Sequence, residues 1–245
     1  MWTIARREWR ALFVSPLAWT MLAVVQGLLA WTFFSQVEEY LRLQPKLVQL
    51  ATAPGVTRLV VGPYFLSAAV LAALVVPLLT MRLIAGERRE GTLDLLLSAP
   101  IPLGRIVLGK YLGAMGFLLV LWMPAVAMPA SLALGTELDW GMLAAGALGL
   151  LLALAAFTAV GLYISALASQ PATAATTSYG LLLLLWLAGS AGGPDNLLAY
   201  LSPLVHLRSL VVGLVQTPNL AYFALLTLAC LALAVRRLDD ERVGG

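Results

Sequence analysis

The sequence predicts an all-α integral membrane protein with six transmembrane helices. A helix in the membrane interface precedes them, a short cytoplasmic helix follows the second span, and a short extracytoplasmic helix precedes the last. Three observations carry this. Of 245 residues, 61% are hydrophobic and only 11% charged, where a soluble domain has about 45–50% and about 25%. The charges leave uncharged runs as long as a membrane span. The basic residues lie mostly in one of the two sets of segments that the runs separate.

The uncharged runs place the spans. Leu17 to Gln36, Leu59 to Met81 and Tyr111 to Thr136 are the first three. Trp140 to Pro194 holds no charge and is about twice the length one span needs. Ser169-Gln170-Pro171 interrupts it with turn chemistry, so it reads as two helices. Leu220 to Val235 follows Pro218-Asn219. Spans at 17–36, 59–81, 106–134, 140–168, 172–191 and 219–236 form a single transmembrane domain over 1–245. The runs are too long for barrel strands, and lipid leaves helices as the alternative. The first run follows an Arg-rich start and is of full span length, so it reads as a retained signal anchor.

Six spans put both termini on one side. The N-terminus, the 82–110 segment and the C-terminus carry Arg6, Arg7, Arg10, Arg82, Arg88, Arg89, Arg105, Lys110, Arg236, Arg237 and Arg242. The opposite loops carry only Arg42, Lys46, Arg58 and Arg208. The bias makes the first group cytoplasmic. Trp2, Trp9, Trp19, Trp31 and Trp140 fall near span ends, as interfacial aromatics do.

Two further segments are apolar without spanning. Residues 2–13 put Trp2, Ala5, Trp9, Leu12 and Phe13 on one helical face and Arg7 and Arg10 away from it. That pattern suits a helix lying in the interface; the alternative is a cytoplasmic extension of the first span. Residues 202–215 open with Ser202-Pro203, an N-cap and a proline at the first helical position. His206, Ser209 and Gly213 then share a face. A helix of about 20 Å does not cross a bilayer, so it is expected to be re-entrant or interfacial on the outer side. His206 reads as a polar anchor there.

The loop GERREGTLDLLLSAPIP, residues 86–102, is the most informative segment. Thr92 is placed to cap a helix with Asp94 in its first turn. Leu93, Leu96 and Leu97 form an apolar stripe, and Pro100 stops the helix. Leucines exposed toward the cytosol mark either a protein docking surface or a helix resting on headgroups.

Other chemistry is thinly represented. Gly104 to Lys110 has the G-x-x-x-x-G-K spacing of a phosphate loop, but Tyr111 replaces the hydroxyl residue and no strand precedes it. Lys110 is expected to snorkel to headgroups, and Gly109 with Gly113 to admit a neighbouring helix. The lone Cys230 reads as a small hydrophobe. A net charge of +3 argues against nucleic-acid binding. The span interiors are expected to hold no Asp, Glu, His, Lys or Arg, which argues against ion coupling and catalysis. Any transport would then draw its energy from another polypeptide.

Four segments resemble the permease subunits of ABC-2 type transporters, in particular gliding-motility-type permeases and the permease of the nitrous oxide reductase maturation system. They are ARREWRALFVSPLAW (5–19), GERREGTLDLLLSAPIPLGRIVLGKYLGA (86–114), GLYISALASQPATAA (161–175) and LSPLVHLRSLVVGLVQTPNLAYFALLTLACLALAVRRLD (201–239). The resemblance implies a bacterial inner-membrane exporter subunit, not itself an enzyme. Its 86–100 loop would contain the coupling helix that docks on a separate ATP-binding subunit. Glu87, Gly91, Thr92, Asp94, Leu96 and Pro100 match that pattern, and Leu93 and Leu97 complete the stripe. Ser202, Pro203, His206 and Gly213 mark the extracytoplasmic helix. The chain itself would take no cofactor, since ATP and magnesium bind the partner. A homodimer or heterodimer of permeases and a periplasmic accessory protein are the other implied partners. The competing reading is a non-transporting scaffold that anchors a cytoplasmic ATPase.

Overall fold

The computed structural model describes residues 2–47, 55–98, 101–189 and 200–244. Among them the ordered elements are all helical. In chain order they are α1 (Trp2–Val14), α2 (Pro16–Leu47), α3 (Gly62–Thr80), α4 (Ala85–Arg89), α5 (Leu93–Ser98), α6 (Leu103–Ala130), α7 (Trp140–Leu167), α8 (Pro171–Ala188), α9 (Pro203–Val211) and α10 (Thr217–Gly244). A π-helical turn, Thr57–Val61, leads into α3, and a 3-10 turn, Ser131–Leu134, closes α6. Six of these helical stretches are long and apolar enough to cross a membrane. The chain is therefore a multi-pass helical membrane protein.

Helix α7 is the centre of the bundle. Its most apolar window is 72% buried, against at most 50% for any other span. It packs on α3, α6, α8, α9 and α10. Small residues permit this: a Cβ on Gly161 would lie 2.1 Å from the Thr80 hydroxyl of α3. Where lipid removes the hydrophobic drive for helix pairing, such close backbone approach supplies the packing. At its start, Asp139 accepts from the Met142 amide (3.0 Å) and gives its own amide to the Thr57 hydroxyl (3.0 Å). One aspartate thus caps α7 and ties it to the π-helical turn.

Polar groups in the bundle meet backbone carbonyls on neighbouring helices. The buried Tyr64 hydroxyl donates to the Ala125 carbonyl of α6 (2.8 Å). Pro129, four residues on, has no N–H to offer that carbonyl, so the tyrosine supplies the missing donor. Trp122 donates to the Ala147 carbonyl (2.9 Å) and Gln26 to that of Leu121 (2.7 Å). Buried Cys230 lies among the core hydrophobes.

Several helices outrun the apolar runs. Helix α2 continues to Leu47, and an exposed Glu38–Arg42 pair (2.6 Å) sits on its extension. Helix α10 continues to Gly244 and carries Arg237 and Glu241 beyond its apolar part. Hydropathy measures where lipid ends, whereas the helix goes on while its backbone bonds are made and its polar side chains find partners.

Candidate partner-docking site

The chain between α3 and α6 folds onto the bundle end that also holds both termini. The attachment begins at Ser165, a fully buried residue of α7. Its hydroxyl accepts from the amides of Ile84 (3.1 Å) and Ala85 (3.0 Å) and donates to the Met81 carbonyl (3.1 Å). One hydroxyl therefore satisfies three backbone groups that the end of α3 leaves without helical partners.

Helix α4 is then fixed from two sides. Arg88 donates to the carbonyls of Ala166 (2.9 Å) and Ala168, at the C-terminal end of α7, and to both Glu241 carboxylate oxygens (2.7 Å each) on α10. These helix-end carbonyls lack intrahelical partners, and a cation there also meets the negative end of the helix dipole. Arg237 adds a second contact to Glu241 at 3.2 Å. On the other side, Glu87 meets Lys110 of α6 at 2.8 Å, and Lys110 also meets Glu8 of α1 at 3.0 Å.

Lys110 corrects the expectation that it reaches headgroups. It is only 2% exposed, within α6, and it is a basic side chain inside a span where none was expected. Two carboxylates from different elements provide the compensation that burying an ammonium requires. The neighbouring expectation about Gly113 agrees with the packing: a Cβ there would meet Glu8 at 2.6 Å and the Ala5 carbonyl at 3.0 Å. Helix α1 lies against α6 with Ala5 buried and Phe13 edge-on to Phe117, ring centroids 5.4 Å apart.

Gly91, at φ +68°, turns the chain from α4 into α5. The Thr92 amide bonds to the Glu87 carbonyl (3.0 Å), and its hydroxyl donates to the same carbonyl (3.3 Å). Thr92 thus closes the turn behind it, beside its expected place at the start of α5. The leucine stripe also differs from expectation. Leu93 is buried at 4% exposure and Leu96 is half-buried against the core, whereas Leu95 is 73% exposed. Six residues make less than two turns, so one face is fully used in attaching α5 to the bundle. Among the described side chains of α5, the apolar contact offered outward is Leu95. Asp94 and Leu97 fall in α5, and their side chains lie outside the described structure, as does Pro100 altogether.

A polar cleft of about 820 Å³ opens beside this assembly, lined by Arg7 and Glu8 of α1, Arg82, Glu87 and Arg89, and the first residues of α8. The site thus joins a projecting leucine, a charged cleft and a rigid connection to the central helix. Among the described residues, no group of three or more histidine, cysteine or acidic side chains is placed to hold a metal.

At the opposite end, Ser202 caps α9 by accepting from the Leu204 amide (3.3 Å), with Pro203 at its first turn. Gly213, at φ +90°, turns the chain out of α9. His206 is buried, not set in an interface. Its Nδ1 meets Asn219 Oδ1 at 2.8 Å, its Nε2 meets the Tyr200 carbonyl at 2.9 Å, and its ring stacks on Tyr222 at 4.1 Å. Helix α9 packs against α7, α10, α3 and α8, so His206 joins α9 to the start of α10 within the bundle. The charge-poor loops at this end gave no sign of this, because packing partners are not visible in composition.

Sequence reasoning singled out the 86–102 segment but not Ser165, Glu241 or Leu95. A lone serine within a run of apolar residues near a helix end was the available signal for Ser165. Glu241 and Leu95 had none without the tertiary arrangement.

The fold and this end define a class: a helical membrane domain with a polar loop held firmly against one end of its bundle. The sequence profile of the ABC-2 family transporter protein matches residues 2–241, and the chain belongs to that family. It is the membrane component of an ABC system, which works with an ATP-binding subunit and does not itself hydrolyse ATP. No curated protein matches the chain significantly.

Proposed function

We propose that this chain is the permease of a bacterial inner-membrane exporter and that its 86–100 loop is the coupling helix. Nucleotide-driven closure of the ATP-binding subunits moves this loop, and the loop moves the spans to translocate substrate or transmit force. ATP and magnesium stay in the partner, both termini face the cytoplasm, and two permeases pair across the assembly. The gliding-motility and nitrous oxide reductase maturation permeases are the relatives this reading favours, on the four segments quoted above. A periplasmic accessory protein is a further partner in it. Support comes from one observation above others: α4 is bonded through Arg88 to both α7 and α10, so a push on the loop reaches the central helix without a flexible link. The basic bias of the same end supports the orientation.

Leu95→Asp is the sharpest test. The side chain is exposed, so the fold should survive while stimulation of the partner's ATPase by substrate falls at least tenfold. Leu134→Asp at the other end, 94% exposed, should leave coupling unchanged. Equal effects of the two would sink the assignment.

A further inference from the structure

The groove between α1 and α6 is not used by the docking reading. It measures about 460 Å³ and is lined by Trp2, Ala5, Trp9, Met115, Gly116 and Leu119, with Arg6 beside them. That volume falls within the range of small-molecule sites. Its apolar wall suits a hydrocarbon chain, and its position on the outside of a membrane bundle gives lipid direct access.

The one charged residue that lines the groove, Arg6, is exposed. Among the described residues Arg6 pairs with no carboxylate, since Glu8, the acid nearest in sequence, is committed to Lys110. Trp2 and Trp9 donate their indole N–H groups to no described residue and are 76% and 42% exposed. An unpaired cation beside an apolar groove matches a phosphodiester followed by an acyl chain. The groove is also held open. The Glu8–Lys110 pair fixes α1 against α6, and the Trp9 ring lies 3.1 Å from where a Cβ of Gly116 would be.

We propose that this groove binds one anionic phospholipid, with its phosphate at Arg6 and an acyl chain along Trp9, Met115 and Leu119. An arginine near anionic headgroups contributes about fivefold in affinity. Through α1 and Lys110, a lipid seated here would bear on the end of the bundle that carries α4.

Native mass spectrometry of the purified full chain in detergent tests this, with dioleoyl phosphatidylglycerol and dioleoyl phosphatidylcholine as probes. The wild type should retain one phosphatidylglycerol about fivefold more tightly than phosphatidylcholine. Arg6→Ala should abolish that preference, Arg10→Ala on the same helix should keep it, and Met115→Trp should weaken both lipids by filling the groove. Equal retention of the two lipids by the wild type would overturn the proposal. So would equal effects of the Arg6 and Arg10 variants, which would mean diffuse attraction to a basic helix. Cross-linking of Met115→Cys to a second copy in place of lipid would overturn it too. None of these outcomes depends on whether the 86–100 loop docks an ATPase.

Discussion

Lys110 shows most plainly how one side chain organises this end of the protein. An ammonium buried to 2% exposure survives because Glu8 and Glu87 surround it, and it thereby joins α1, α4 and α6. Removing one member of such a group leaves partly buried charge uncompensated, at a cost of about 3–5 kcal/mol. Lys110→Met is therefore expected to lower stability in detergent by about 3 kcal/mol, read from a denaturation midpoint. Combining it with Glu8→Gln and Glu87→Gln should restore part of the loss. Gly161 makes a steric counterpart. Gly161→Ala should cost about 1–3 kcal/mol through overpacking on Thr80, and Thr80→Ala should relieve part of it, because the contacting hydroxyl is removed while the Cβ at 2.9 Å stays. The lysine's role was not legible in sequence. Its position at the edge of an uncharged run suggested a snorkelling residue, and only the approach of α1 and α4 turned it into a buried one.

At the scale of the element, the segment between α3 and α6 is a short loop made stiff by its attachments. Ser165 satisfies three backbone groups with one hydroxyl, so Ser165→Ala leaves two buried amides without an acceptor, at about 1–3 kcal/mol. Hydrogen exchange at Ile84 and Ala85 should accelerate selectively in that variant, while α7 stays protected elsewhere. The position of this loop and the presence of a helix after Thr92 could be read from the residues, whereas the turn at Gly91 emerged only with the backbone. Which leucine faces outward could not. The stripe Leu93, Leu96 and Leu97 is a valid helical face, but in a six-residue helix the same pattern fits attachment to the bundle as well as docking. Burial of Leu93 decides for attachment. Helix α9 teaches the same lesson: its cap and opening proline were legible, whereas its packing against four helices was not.

Across the whole molecule, the six spans and the grouping of both termini with one charged loop follow from the distribution of charge along the chain. Lipid imposes this legibility, since each span must be apolar and satisfy its own backbone. The arrangement of spans around α7 was not visible, because the spans, Lys110 apart, are apolar on all faces within their uncharged runs and carry no sidedness in their composition. Orientation in the membrane is open to direct test: the single native cysteine, Cys230, is buried and leaves a quiet background. An impermeant maleimide added outside intact cells should label Leu134→Cys and spare Ser98→Cys. If the exposed face of the 86–100 loop receives an ATP-binding subunit, a group placed on that face can be joined to it covalently. A photoreactive amino acid at position 95, in the chain co-expressed with its ATP-binding-cassette subunit, should cross-link to that subunit in a nucleotide-dependent manner, while the same group at position 134 should not. Cross-linking of position 95 to lipid alone, with a partner that fails to co-purify, would contradict the account.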